Sequence, residues 1–153
     1  MASNVTSEQT IRDQLTTLLG TYLTAAGVQA TFGYDIANMQ GQSPVVINKQ
    51  GSIDRTQRFI GGTQPHVWFY FQLETWVIVG DKASPAWTSQ QVENEMGLIE
   101  KKVIDCLDDN PRSAGKWDFI QTAGPATAPV AKVVGSNKYR MRVIPIKARV
   151  IGG

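Results

Sequence analysis

The sequence predicts an α+β fold: a mostly antiparallel sheet with two helices packed on one face, plus a projecting loop or hairpin arm. Three observations carry that prediction. From Val67 to Val79 the odd positions are Val67, Phe69, Phe71, Leu73, Val77 and Val79, interrupted only by Thr75. A two-residue period marks a strand with one dry face, and Trp68, Tyr70 and Trp76 among Gln72 and Glu74 make the other face amphipathic. At about 3.3 Å per residue this strand runs roughly 40 Å and needs antiparallel neighbours of similar length. Lys138 to Ile151 is the best partner. Two segments with helical spacing, at about 6–26 and 89–109, supply the second layer.

Taken in order, Thr6-Ser7-Glu8-Gln9 fits a capping box, the Thr hydroxyl and the Gln side chain each satisfying a backbone N–H left free at a helix start. Ile11, Leu15, Leu18, Tyr22 and Ala26 then recur at helical spacing, with Leu19 and Leu23 widening the stripe and Gly27 ending it. Residues 28–34 form a short strand and 35–43 a loop. Pro44 to Asn48 is another short strand, with proline at its start, where no ladder N–H is missed. Lys49 to His66 follows, 18 residues with three glycines. Compact domains rarely hold a structureless loop of that length, so 49–66 is either functional or a hairpin arm, with Asp54 to Ile60 as one strand.

After the long strand, Gly80 to Trp87 is a turn, and Thr88-Ser89-Gln90-Gln91 offers a second capping box. Val92, Met96, Ile99, Val103 and Leu107, with Cys106 beside them, mark one face of the second helix, which Asn110-Pro111 stops. Gly97 weakens that helix by about 1 kcal/mol relative to alanine. Trp117 to Thr122 reads as a strand, whereas Ala123 to Ala131 holds two prolines and cannot pair continuously. In the last strand the apolar positions change from Tyr139, Met141 and Val143 to Ile144, Ile146, Ala148 and Val150. That phase change predicts a bulge or an edge position near Pro145.

A chain of 153 residues is expected to form one domain and to bury a core without staples. No apolar run approaches the ~18 to 20 residues of a membrane span, and residues 1–10 lack the blocks of a signal peptide. Synthesis in a cytoplasm, with no membrane partner, is the expectation. The net charge of +2 hides an asymmetry: residues 1–111 carry 7 Lys/Arg against 12 Asp/Glu, and residues 112–153 carry 8 against 1. Such a field steers nucleic acid, or lets the acidic flank of one copy meet the basic flank of the next.

Residues that carry chemistry are sparse. Cys106 and His66 are each the only one of their kind, which rules out an internal disulfide and a Cys/His zinc site. No acid near His66 is placed to orient it for a hydrolase, and Cys106 on an apolar stripe reads as an inert buried thiol. The glycines match no phosphate-binding pattern, and Asp105, Asp108 and Asp109 lack the alternation of a calcium loop. Neither an enzyme nor a cofactor is expected. The patterned feature is the basic series Lys138, Arg140, Arg142, Lys147 and Arg149, in which Arg140 and Arg142 share one strand face, as do Lys147 and Arg149. Salt bridges between subunits, a solvated strand and contact with DNA are its three readings; no helix-turn-helix or RNP-type motif accompanies it. The uncovered face with Trp68, Tyr70 and Trp76 calls for a neighbouring subunit, unless the arm or the Ala/Pro segment folds back over it.

The opening amphipathic helix, the Pro-Val-Val-Ile strand, the aromatic strand 67–79, the capped helix 88–109 and the closing basic strand 138–151 together resemble the tail terminator proteins of long-tailed bacteriophages. The likeness covers most of the chain and lies in layout and not in a signature motif; neck and head-completion proteins share a similar plan. It implies a structural virion protein without catalysis. Such proteins form a hexameric ring of identical copies that caps the tail tube protein, stops tube polymerisation and offers the docking surface for head-tail connector or neck proteins. DNA passes through the lumen without sequence-specific binding. On this view Arg55, Arg58, Trp68, Tyr70, Trp76, Arg140, Arg142 and Arg149 belong to contacts with neighbouring copies or partners. A neck connector protein and a small DNA-binding module are the alternatives.

Overall fold

The alternating stretch forms the central strand of a sheet. The computed structural model describes residues 8–34, 43–56, 66–79, 88–113, 116–135 and 137–151, without the side chains of Arg55, Thr56, His66, Ser89 and Ile151. Its elements are α1 (Glu8–Thr24), β1 (Ala30–Phe32), β2 (Val45–Thr56), β3 (His66–Ile78), α2 (Ser89–Asp109), β4 (Phe119–Thr122), β5 (Val130–Val134) and β6 (Asn137–Ile151). The strand order is β1-β2-β3-β6-β4, with β5 also paired to β6. Only β1 and β2 are parallel; the other pairs are antiparallel.

The two apolar periods meet between the layers. Ile11, Leu15, Leu19 and Leu23 of α1 and Val92, Met96, Ile99, Val103 and Cys106 of α2 are buried against Phe69, Phe71, Leu73 and Val77 of β3 and Ile144, Ile146 and Ala148 of β6. Burying each of the larger aliphatic and aromatic side chains among them stabilises the fold by about 1.5–3 kcal/mol before entropy is counted. Polar details fix the helices in place. The capping box at Thr88 and Gln91 is formed in both directions, and Gly27 closes α1 in the left-handed region at φ 83°, with Val28 N–H donating to the Leu23 carbonyl at 3.2 Å. Buried Asn48 of β2 donates from Nδ2 to Thr16 Oγ1 at 3.1 Å and to the Arg12 carbonyl at 3.3 Å, so α1 is tied to the strand beside it.

Several expectations need correction. The hairpin reading of the arm holds for 49–56, but its strand does not start at Asp54: β2 continues through them from Val45, beyond the predicted end at Asn48, and pairs with β3 up to Thr56↔His66. Gly51 and its neighbours disguised this, because the strand carries its bulge there, between Gln50 and Ile53. Nor is there a bulge at Pro145, since β3 and β6 pair in unbroken register from His66↔Ile151 to Ile78↔Tyr139. The phase change instead records two cores. Ile144, Ile146 and Ala148 face the helices, while Tyr139 joins Val45, Ile47 and Ile78 in a smaller cluster on the opposite face. Pro145 is nonetheless locally at an edge: its carbonyl accepts from Ala123 N–H on the side away from β3, in the gap between β4 and β5. The missing N–H points into that gap too, so no ladder bond is lost.

The strand expected from Trp117 begins at Phe119; Trp117 is buried, bridges to Ser113, and its Nε1 donates to the Asn110 carbonyl at 3.1 Å. Strand β5 was hidden by the prolines before it. Thr6 and Ser7 of the first capping box, the 35–42 loop, the tip of the arm and the 80–87 turn lie outside the described residues.

The two contrasting glycines give opposite expectations. A Cβ at Gly51 would stand 2.5 Å from the Tyr70 carbonyl oxygen, whereas one at helical Gly97 meets nothing within 4 Å. Gly97→Ala should therefore raise stability by about 0.5–1 kcal/mol and Gly51→Ala lower it by about 1–3 kcal/mol in urea unfolding.

Candidate assembly surface

Register assigns each side chain of β3 and β6 to a face. The odd residues of β3 meet the helices, so Trp68, Tyr70, Gln72, Glu74 and Trp76 lie on the other face, opposite Arg149, Lys147, Pro145, Val143 and Met141. This second face has two halves. In the closed half Trp76 packs edge-on against Tyr139, with ring centroids 5.7 Å apart, and its Nε1 donates to Glu74 at 3.1 Å. Phe32 and Val134 complete the cluster, and Lys49 pairs with Glu74 at 3.0 Å. Trp76, expected at an interface, is partly buried in this cluster.

The open half is aromatic and cationic. Lys147 Nζ sits 4.7 Å from the Trp68 ring centre, and the Arg149 guanidinium lies 5.8 Å from the rings of both Trp68 and Phe119. Each such contact is worth roughly 0.5–1 kcal/mol at exposed sites. Arg149 Nε is enclosed without a hydrogen-bond partner among the described residues, while its guanidinium lies against the two rings. Trp68 and Tyr70 remain only partly buried, and both helices pack on the opposite face. The Ala/Pro segment does not fold back over this strip: Ala126 packs toward the helix-side core, and Thr127 N–H donates to the Val143 carbonyl along the rim of β6.

The basic series is divided by parity. Arg140 and Arg142 occupy the helix face, where Arg142 binds Glu100 Oε2 at 2.9 Å and the Thr127 carbonyl at 3.0 Å. Arg142 is therefore spent on holding α2 to the sheet. Of the basic series, Lys147 and Arg149 lie on the open strip, where Asp54 stands opposite Trp68 from the other side. Lys147 and Phe119 were not singled out as contact residues, although Lys147 stands two residues from Arg149, the spacing of one strand face. The side chain of Arg55 and all of Arg58 lie outside the described residues.

Among the described residues no group of three or more His, Cys, Asp or Glu could hold a metal ion. A cleft of about 310 Å³ between the end of α2 and β4 is lined chiefly by Ile104, Leu107, Pro111, Phe119 and Ile120, with Asp108 at its side. The acidic end of α2 is answered locally: Asp109 accepts from Tyr22 Oη at 2.8 Å, and Lys101 stands 3.8 Å from Asp105. Hydrogen bonding to Asp109 raises the Tyr22 hydroxyl above its ordinary range. Burial raises Glu95, whose Oε1 has no hydrogen-bond partner. Glu8 is also raised by burial, partly countered by Arg12 at 2.9 Å.

Fold and surface define a class: an α+β domain whose sheet is roofed by helices on one side and presents an aromatic, cationic strip on the other. No protein-family model matches the chain, and no curated protein matches it significantly.

Burial, with Asp109 nearby, pushes the Cys106 thiol from its ordinary 9.0 up to about 12. Over that window only the unfolded chain releases the proton, so stability falls as pH rises. Urea titrations across the window should show this slope, and Cys106→Ala should flatten it. The native thiol should also resist a thiol reagent at neutral pH.

Proposed function

We propose that this chain is a structural virion subunit of the tail-terminator kind. Six copies close into a ring on the head-proximal end of a phage tail tube, stop its growth and present the surface to which the head's connector docks. The single observation that carries this reading is the open sheet face. Trp68, Tyr70, Lys147 and Arg149 form a strip without a covering layer among the described residues, although the same sheet is roofed by two helices on its other side. A lone domain has no use for half-buried tryptophan held by cations on a bare sheet, whereas an assembly subunit does.

Two further features support the reading. The element order is that of the resemblance, from the opening helix to the closing basic strand. The chain also offers unlike surfaces, an α2 with exposed Glu93, Asp108 and Asp109 and an open strip with Lys147 and Arg149, as a head-to-tail ring requires. On this proposal DNA passes through the ring without base-specific contacts, and no chemistry is performed.

Electron microscopy of phage particles made without this chain tests the proposal. Loss should yield overlong tail tubes of irregular length. Tails of normal length left unjoined to heads would overturn the terminator reading in favour of a neck protein.

A further inference from the structure

The two rims of the sheet are unlike, and each holds apolar side chains in water. On one rim β1 ends at Phe32↔Ile47, and the rest of β2 has no outer strand among the described residues; Ile53 there is 39% exposed. On the other rim β5 pairs with β6 alone among the described residues, and Val133 is 69% exposed and Val130 44%. Free strand edges with apolar side chains are templates for another strand.

Backbone direction shows what each rim offers. The Lys138 carbonyl accepts from Val79 N–H, so Lys138 turns its backbone groups toward β3, and its partner Val133 turns both of its own outward. On the far side of β6 the carbonyls of Val143, Pro145 and Arg149 accept from Thr127, Ala123 and Asp118, which leaves Ala148 turned toward Phe69 of β3. Phe69 thus bonds toward β6, and its other neighbour, Ile53, turns its backbone groups to the free rim. Side chains match as well. Ile53 and Val133 both lie on the helix face of the sheet, and Asp54 and Lys132 both lie on the opposite face. Finally, β2 runs parallel to β6 and β5 antiparallel to it, so two copies set rim to rim in the same orientation bring β5 and β2 together antiparallel.

We propose that β5 of one copy adds as an antiparallel strand to the free rim of β2 in a second copy, with Val133 opposite Ile53 and Lys132 opposite Asp54. The inference rests on the ring reading and names its joint. An aliphatic pair and an oppositely charged pair are the cross-strand neighbours that stabilise sheets. Each copy gives one rim and receives at the other, a heterologous contact that repeats around a closed ring. The pairing offsets successive copies along their strands, and so tilts the strands relative to the ring axis, as closed sheets require.

Cysteine cross-linking of the full-length chain tests the joint. Opposed residues in such a pair stand about 5.5 Å apart at Cα, within the span of a disulfide. Under mild oxidation the double variant Ile53→Cys, Val133→Cys should give a covalent ladder extending to six copies, either single variant none, and a mixture of the two singles dimers only. Buried Cys106, its thiol neutral up to about 12, adds no bands. In the double-cysteine chain Asp54→Lys or Lys132→Asp alone should cut the ladder several-fold, and the two together should restore it. No ladder, or a disulfide dimer from one single variant, overturns the joint. Absence of the ladder while tail length still depends on the chain overturns rim pairing alone. A ladder from a chain whose loss leaves tail length normal overturns the terminator reading and leaves rim pairing standing.

Discussion

The pairing of β3 with β6 is the constraint on which the rest of this structure depends. It joins residues far apart in the chain in unbroken register, and places Phe71 opposite Ile146 and Leu73 opposite Ile144 beneath the helices. One residue of slip of β6 against β3 would turn that strand over, carrying Lys147 and Arg149 into the core and Ile146 and Ala148 out of it. Such a slip is excluded by the cost of burying the cations, so register is strongly specified. Even Pro145 fits, because its lost donor falls where neither β4 nor β5 reaches.

That register also decides how the charge is used. The basic closing strand looks uniform in sequence, but strand parity sends its arginines to two destinations. Arg142 reaches Glu100 and fastens α2 to the sheet, a local use of the excess basic charge near the C-terminal end. Arg149 and Lys147 lie against aromatic rings on the other side. The cations of this strip rest on aromatic rings, and Arg142 on the other face is bonded to Glu100 and the Thr127 carbonyl. On the proposed reading the open strip faces the proteins of the tail.

Much of this was legible in the residues themselves. The period of two from Val67 to Val79, the stripes of both helices and the box at Thr88 are strong local signals, and the long strand and the two helices formed within a few residues of their expected bounds. The errors have physical causes. Gly51 broke the strand signal at a bulge where the backbone of β3 comes too close for a side chain. The two-core burial of β6 imitates a slipped register, since periodicity shows that a residue is buried but not on which face. Strand β5 is short and exposed, with apolar side chains that face water in the single chain, so no alternation announced it. Within the candidate surface Trp68, Tyr70 and Arg149 were readable from their positions on the central strands. The packing of Trp76 against Tyr139 and the pairing of Arg142 with Glu100 were not, because only the folded chain brings those partners near.

The central claim is that the face bearing Trp68 and Tyr70, which has no covering layer among the described residues, is covered in the assembly. Hydroxyl-radical footprinting of the isolated chain and of intact particles measures this directly. The account predicts ready oxidation of Trp68 and Tyr70 in the isolated chain and strong protection in the particle, with buried Trp117 protected in both. Equal oxidation of Trp68 and Tyr70 in the two states would contradict it.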